Sequence, residues 1–291
     1  MFESKELVVA PGAYDALTAK LVEYTGFKAV FHTGYGTAAS LLGQPDVGLV
    51  CFKEMVDRVS YMARAVNIPL LADGDTGYGN AINVYRTVKE YIWAGASGMF
   101  IEDQVWPKRC GHMEGKELIS VEEMIGKIKA ANDARNEEDP DFLIGARTDA
   151  IAVYGFDEAI KRANVYADAG ADFVFVEAPV SEEQVRKIPR LVKVPAMLNL
   201  IEDAKTPLLP IHEVRELGYG IVVYPLTTLY VAARSVLDAL RSLKESGVTT
   251  EYMDKMIAFK EFAKLIGLPE VRKMEDMYLP EAEVKKKYKG V

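Results

Sequence analysis

The chain has 291 residues, 49% of them hydrophobic and 27% charged, with a net charge of -8. That is the composition of an ordinary globular protein with ample core, long enough for two average domains or one large barrel. The acidic balance, with Lys285-Lys286-Lys287 as the one basic tract, excludes a typical nucleic-acid reader.

In chain order, Met1-Phe2-Glu3-Ser4-Lys5-Glu6 lacks a basic start followed by a long apolar stretch, so no leader peptide is expected. Short apolar runs then alternate with amphipathic ones. The predicted strands are Leu7–Ala10, Ala29–Thr33, Pro69–Asp73, Gly98–Glu102, Phe142–Arg147, Phe173–Glu177, Ala196–Leu200 and Gly220–Tyr224. Most are continuous apolar runs, as strands covered on both faces should be. Between them, Ile82, Tyr85, Val88 and Ile92 give a helical stripe, and Ser120 with Glu123 and Ser181 with Gln184 fit capping boxes. Gly26, Gly95, Gly170 and Gly218 sit where helices should end before even-numbered strands, while Pro69, Pro140 and Pro195 lead into odd-numbered ones. Eight such alternations with no linker predict an α/β fold, a (β/α)8 TIM barrel, over residues 1–245. Residues 246–291 are surplus to it. Their stripe of Tyr252, Met256, Phe259, Ala263 and Ile266 reads either as a packed extra helix or as an arm buried on another subunit.

The chain has two cysteines, Cys51 and Cys110, which is no disulfide framework and fits a reducing cytosol. No apolar run approaches the roughly 20 residues of a membrane helix. A cytoplasmic protein without membrane or nucleic-acid partners is expected.

In a parallel barrel the strand C-termini converge on one face and supply the catalytic groups. Here they end in Thr33 and Gly34, Asp73 and Asp75, Glu102 and Asp103, Arg147 and Asp149, Glu177, and Asn199. Six successive polar or charged ends are a stronger signal than any single motif. Asp73, Asp75 and Glu102 form an all-oxygen set suited to a hard divalent ion, Mg²⁺ or Mn²⁺ in its place; the plainer reading of Asp-Gly-Asp is a solvated acidic turn. Arg147 suits a substrate carboxylate, with a structural ion pair to Asp149 or Glu177 as the competing reading. Thr33 and Asn199 would add neutral hydrogen bonds.

After Glu102 the chain becomes a glycine-flanked loop holding Lys108, Arg109, Cys110, Gly111, His112 and Lys116, which reads as a lid. Cys110, beside Arg109 and His112, is expected to have a lowered pKa and to shuttle a proton. Its alternative is an inert buried cysteine. Cys51, His32 and His212 are read as structural.

Lys108-Arg109-Cys110-Gly111-His112, preceded by Glu102-Asp103-Gln104, resembles the signature of the isocitrate lyase/phosphoenolpyruvate mutase superfamily, in its carbon–carbon lyase branch. The similarity spans about residues 8 to 245 and includes Pro11-Gly12-Ala13-Tyr14-Asp15-Ala16, Leu42-Gly43-Gln44-Pro45-Asp46, Asp73-Gly74-Asp75-Thr76-Gly77-Tyr78-Gly79, Ala146-Arg147-Thr148-Asp149-Ala150 and Val176-Glu177-Ala178-Pro179. The resemblance implies a barrel whose last helix swaps with a neighbour, in a homotetramer built as a dimer of dimers. It implies Mg²⁺ at Asp73, Asp75 and Glu102, partly through water. Thr33, Gly34 and Tyr35 match positions that grip the α-keto acid, Arg147 a carboxylate clamp, and Asp46 an active-site aspartate. Thr33-Gly34-Tyr35 and Ile201 depart from the 2-methylisocitrate lyase pattern, while Trp106 and Met113-Glu114-Gly115-Lys116 look closer to lyases of substituted malates.

The implied reaction is cleavage of a small 2-hydroxy di- or tricarboxylate, 2-methylisocitrate or a substituted malate, to an α-keto acid such as pyruvate and a carboxylate such as succinate. Asp46 or a metal-bound water would take the hydroxyl proton. Cys110 would protonate the leaving carbon, with Arg109, His112 and Glu177 setting its charge and position. The alternatives are an oxaloacetate decarboxylase or phosphonopyruvate/phosphoenolpyruvate-type enzyme on the same scaffold, and an inactive barrel kept as a binding module.

Overall fold

A computed structural model describes residues 6–287, so the Met1–Lys5 start read above for a leader lies outside the described residues. Eight parallel strands close in sequence order into one barrel: β1 (Val8–Ala13), β2 (Val30–His32), β3 (Leu70–Asp73), β4 (Gly98–Glu102), β5 (Leu143–Thr148), β6 (Phe173–Val176), β7 (Ala196–Asn199) and β8 (Ile221–Tyr224). The predicted strands fall on the observed ones, with ends displaced by up to three residues. β1 shows the largest change, running on through Gly12 to Ala13 against β2.

The helices are α1 (Ala16–Tyr24), α2 (Gly34–Leu42), α3 (Phe52–Ala65), α4 (Ala81–Ala94), α5 (Val121–Glu138), α6 (Ala150–Tyr154), α7 (Phe156–Asp168), α8 (Glu182–Leu191), α9 (Ile211–Leu217) and α10 (Thr227–Ser246). Three further helices follow a 3-10 turn at Thr250–Lys255: α11 (Phe259–Leu265), α12 (Leu268–Tyr278) and α13 (Glu281–Lys287). No described helix is long and apolar enough to cross a membrane.

The barrel interior is filled by Phe31, Phe100, Phe173, Phe175, Met197, Ile221 and Val223. Phe100 meets Phe31 at 6.0 Å and Phe175 edge-on at 5.4 Å between ring centroids. Each such ring contributes about 1.5–3 kcal/mol on burial. Gly145 is required beside them, because an added Cβ would lie 2.2 Å from the Phe173 ring. These aromatics floor the C-terminal mouth, so the charged strand ends above them stand on a rigid, dry base.

Several sequence readings change. The buried face of α4 is Val84, Val88 and Tyr91, and Ile82 is 79% exposed. Ile82 lies about 200° around the helix axis from Val84, on the opposite side. Ser120 and Ser181 do cap α5 and α8, but Gln184 accepts from the Val180 amide, one residue short of the reciprocal box bond. The Tyr252–Ile266 stripe is not one helix: the chain is extended at Met256 and again at Ala258, between the 3-10 turn and α11. Cys51 is exposed at the start of α3 and does not pack. His32 is a buried core histidine bonded to Thr37, and His212 is exposed on α9. The described chain divides into two compact units between Val231 and Ala232, inside α10.

Candidate active site

The strand ends meet as the alternation requires. A cavity at the C-terminal mouth is lined by Thr33, Tyr35, Asp46, Asp73, Cys110, Gly111, Arg147, Glu177 and Asn199, over Phe31, Phe100 and Phe175. Met197, Ile201, Val223, Pro225 and Leu226 form an apolar wall. The parallel register sets Glu102 beside Arg147, so acid and base project from neighbouring strands at one height.

Arg147 is buried over the Phe175 ring at 5.1 Å. Its Nε and Nη2 donate to the two oxygens of Asp149 at 2.9 and 3.1 Å. Glu102 and Glu177 lie 3.3 and 3.8 Å from the same guanidinium. The structural ion pair weighed in the sequence is therefore real, and it aims the guanidinium into the cavity. Asp103 backs this pair: its oxygens accept from Thr148, Tyr166, Arg162 and the Asp149 amide.

Asp73 accepts from the Asp75 amide at 2.9 Å. Burial, then the neighbouring Asp75 charge, pushes Asp73 up to about 6. Glu102 is raised well above the usual carboxylate range, chiefly by burial, and its Oε1 has no hydrogen-bond partner. The orphaned Glu102 oxygen is a buried acceptor that a bound cation or donor would satisfy. Gly34 brings backbone against Asp73, since an added Cβ would lie 2.6 Å from Oδ2. Among the described residues no three carboxylate, imidazole or thiol groups converge closely enough to hold one ion together.

Strain gathers on this face. Asp75, Tyr78, Ala178 and Asp203 have positive φ, and all follow the C-terminal ends of β3, β6 or β7. Non-glycine residues held there cost roughly 1–3 kcal/mol each, which surrounding contacts must offset.

The lid runs from Val105 to Glu117. Its base is pinned by the Val105 amide on the Glu117 carbonyl at 2.8 Å and by the Gln104–Leu118 bridge. It lies closed. The Cys110 amide donates to the Asp46 carbonyl at 3.2 Å, and Cys110 itself lines the cavity. Gly111 lies so close that an added Cβ would stand 2.0 Å from Glu177 Oε1. The Lys205 amide donates to His112 Nδ1 at 3.3 Å, which leaves Nε2 to carry the proton in the neutral ring. That nitrogen lies 3.5 Å from Glu177 Oε1, and burial first lowers the imidazole pKa and favours the neutral form. Asn199 Nδ2 also turns onto Glu177, at 3.4 Å from each oxygen, leaving Oδ1 buried and unpartnered.

The thiol departs from expectation. Burial pushes Cys110 up to about 11, and the nearby Asp46 and Glu177 charges add to this against Arg147. At neutral pH it is a protonated thiol, a donor. Arg109 departs too: it is exposed and outside the cavity lining, with its backbone clamped by Gln104, which donates to its carbonyl at 2.8 Å and accepts from its amide at 2.9 Å.

Two lysines named in the lid were given no role from the sequence. Lys108 is buried, 2.7 Å from Asp46 and 2.8 Å from Asp75. Lys116 is buried 3.1 Å from Asp149 and also bonds the Gly111 carbonyl. Each end of the lid thus inserts an ammonium among the site's carboxylates. The available signal was two lysines in a loop otherwise short of reasons to carry them.

The chain is similar to known proteins along most of its length. The phosphoenolpyruvate phosphomutase family pattern matches residues 1–244. A 2,3-dimethylmalate lyase of Eubacterium barkeri is 48% identical over 278 residues, covering 96% of each chain. A crystal structure of 2,3-dimethylmalate lyase matches with a TM-score of 0.91 at 35% identity, over 97% of this chain and 94% of that one. Phosphonopyruvate hydrolase, solved with oxalate and Mg²⁺, matches with a TM-score of 0.85 at 33% identity, over 96% of both.

Proposed function

The chain belongs to the phosphoenolpyruvate mutase/isocitrate lyase superfamily and is an enzyme of its lyase kind, and from that premise we propose that it cleaves the C2–C3 bond of an alkyl-substituted malate with the help of Mg²⁺. The observation that carries this reading is the Cys110 thiol, delivered by the closed lid into the cavity shared by Asp46, Asp73, Arg147 and Glu177.

The orphaned Glu102 oxygen and the raised Asp73 fit a divalent cation that Asp73, Asp75 and Glu102 would hold through intervening water, since the three do not converge closely enough to hold one ion directly. When bound, Mg²⁺ supplies Lewis-acid polarisation of the substrate's hydroxyl and carboxylate. Arg147 orients the carboxylate from below, its aim fixed by Asp149. Thr33 and Tyr35, which line the cavity, and Gly34, packed against Asp73, would receive the end where the keto acid forms. Asp46 takes the hydroxyl proton, with Lys108 holding its carboxylate in place. As the C2–C3 bond breaks, its electron pair goes to C3, and the Cys110 S–H gives C3 a proton. Glu177, fixed by Asn199 and His112, sits beside the thiol's position. One proton is taken and one given, and the lid's opening lets Asp46 and Cys110 reset through solvent. A protonated thiol suits a donor better than the thiolate expected from sequence. Arg109, exposed as it is, acts on this chemistry through the lid's backbone.

Substrate size follows from the wall. Among the described residues Arg147 is the one cationic side chain lining the cavity, and Met197, Ile201, Val223, Pro225 and Leu226 line it too. That favours a dicarboxylate bearing methyl groups over a tricarboxylate, which needs a further cation. The decisive assay incubates 2,3-dimethylmalate, 2-methylisocitrate and oxaloacetate separately with Mg²⁺ and measures keto acid released. The malate should be cleaved fastest; turnover of oxaloacetate alone would sink the reading.

Assembly is proposed on separate grounds. In the second compact unit Phe259 is 86% exposed, and Met277 and Tyr278 are also largely exposed. Such apolar surface supports an arm exchanged with another copy in a homotetramer, checked by light scattering. Two unpaired cysteines support a cytoplasmic location.

A further inference from the structure

Tyr78 has no part in the chemistry above, yet it stands between the lid and the acidic strand end. We propose that Tyr78 is a positioning residue that couples closure of the lid to the carboxylate of Asp75, its hydroxyl fixing that carboxylate while its ring receives Trp106. The proposal rests on the cation reading of Asp75.

The Tyr78 hydroxyl donates to Asp75 Oδ2 at 2.9 Å. The same hydroxyl is 3.3 Å from the Tyr91 hydroxyl, which donates to the Asp73 carbonyl at 3.0 Å. Two phenols thus brace the Asp73–Asp75 turn from behind. The ring of Tyr78 is packed between Phe52, at 5.2 Å, and Trp106 of the lid, at 6.1 Å. Both separations are in the range where tilted aromatic pairs attract.

Tyr78 is held at φ 60, between Gly77 at 81 and Gly79 at 145. A bulky residue in this conformation is held there by its contacts, and the two glycines let the chain reach it. Any residue could fill a turn; one that accepts strain to present both a ring and a hydroxyl is placed for both.

Asp75 answers to the lid twice. Its Oδ1 lies 2.8 Å from Lys108 Nζ, and its Oδ2 is held by Tyr78, whose ring rests on Trp106. Trp106 and Lys108 are separated only by Pro107, so opening the lid withdraws both supports together. A cation that needs Asp75 oriented then favours the closed lid, and the closed lid favours the cation by the same factor.

Trp93 and Trp106 are the two tryptophans, so a Trp93→Phe background makes emission a reporter of the lid. In that background Mg²⁺ should shift Trp106 emission. Adding Tyr78→Phe should keep the amplitude and raise the Mg²⁺ midpoint about tenfold, a typical coupling. From the lid side, Trp106→Leu should weaken Mn²⁺ binding, read by electron paramagnetic resonance, by a similar factor although Trp106 touches no carboxylate. An unchanged midpoint in Tyr78→Phe overturns the role of the hydroxyl, and unchanged Mn²⁺ binding in Trp106→Leu overturns the coupling. If Tyr78→Phe fails to fold, the Trp106→Leu measurement decides alone. Failure of the unsubstituted protein to bind Mn²⁺ overturns the cation reading itself, and this proposal with it.

Discussion

The barrel strands open a cavity at each end, and the two cavities are unlike. The C-terminal one is lined by Asp46, Asp73, Cys110, Arg147 and Glu177. The N-terminal one is larger and is lined by Val8, Ala10, Ala29, Leu70, Leu143 and Ile221, with Ser97 and Asp141 its polar residues. Size and apolarity alone would choose the wrong end. The larger cavity offers no convergent pair of titratable groups, whereas the smaller one gathers buried carboxylates around Arg147. Chemistry collects where the strands finish because loops of any composition can follow; strand entries are confined to residues that start a parallel strand.

The sharpest way to break that contrast is Cys110→Ser. Keto acid release should fall by about 10²–10⁴, the usual worth of a positioned acid, because a serine hydroxyl is a far weaker proton donor. Thermal unfolding should hardly move, since one small polar side chain replaces another. Near-normal cleavage would remove the thiol from the reaction.

Leu70→Ala probes the other end. Leu70 is fully buried beside the N-terminal cavity, so truncation should cost about 2–5 kcal/mol in denaturant unfolding. Turnover per folded molecule should stay at the parent value. If kcat fell as it does in Cys110→Ser, the division of labour between the two ends would be wrong.

Alkylation compares the two thiols directly. With Cys110 pushed from 9.0 to about 11, its thiolate at pH 8 is roughly a hundredfold scarcer than for an ordinary thiol. Iodoacetamide should therefore label exposed Cys51 first, with Cys110 catching up as pH rises, measured by peptide mass spectrometry. The sign for stability follows. A thiol harder to ionise in the fold than in the open chain contributes stability that is complete below 9 and is lost as pH rises toward 11. Faster labelling of Cys110 at pH 8 would show a thiolate and reverse its assigned direction of proton transfer.

The same contrast explains what could be read from sequence. Strand ends such as Glu102 and Arg147 were legible because an apolar run stopping on a charge needs only local pattern, and the register then sets them side by side. The lid was legible from its composition. Arg109 was misplaced because neighbours in sequence on an irregular loop need not face the same way; Gln104 fixes its backbone and leaves its side chain outside. The Cys110 shift was missed for the same reason: flanking charges were visible, but burial by the far wall is a property of the closed fold. Lys108 and Lys116 needed their partners, Asp46 and Asp149, which lie dozens of residues away. The C-terminal stripe failed because a period of 3.6 cannot reveal a break at Met256 and Ala258.

The smallest expected effect lies within the catalytic mouth. Ile201 stands two residues beyond Asn199, nearly buried, with Met197, Val223, Pro225 and Leu226 completing the wall. If that wall receives a substrate methyl group, Ile201→Ser removes apolar contact from the methylated substrate and leaves Arg147, Asn199 and the thiol untouched. The ratio of kcat/KM for 2,3-dimethylmalate over unsubstituted malate should then fall about tenfold, the lower end of what one methyl-sized contact is worth. Cys110→Ser should lower both rates and leave that ratio alone, because the proton goes to C3 whatever it carries. The two variants thus separate selection from chemistry. A ratio unchanged in Ile201→Ser would place the substituent against another part of the mouth, at Tyr35 or at the floor rings of Phe31, Phe100 and Phe175.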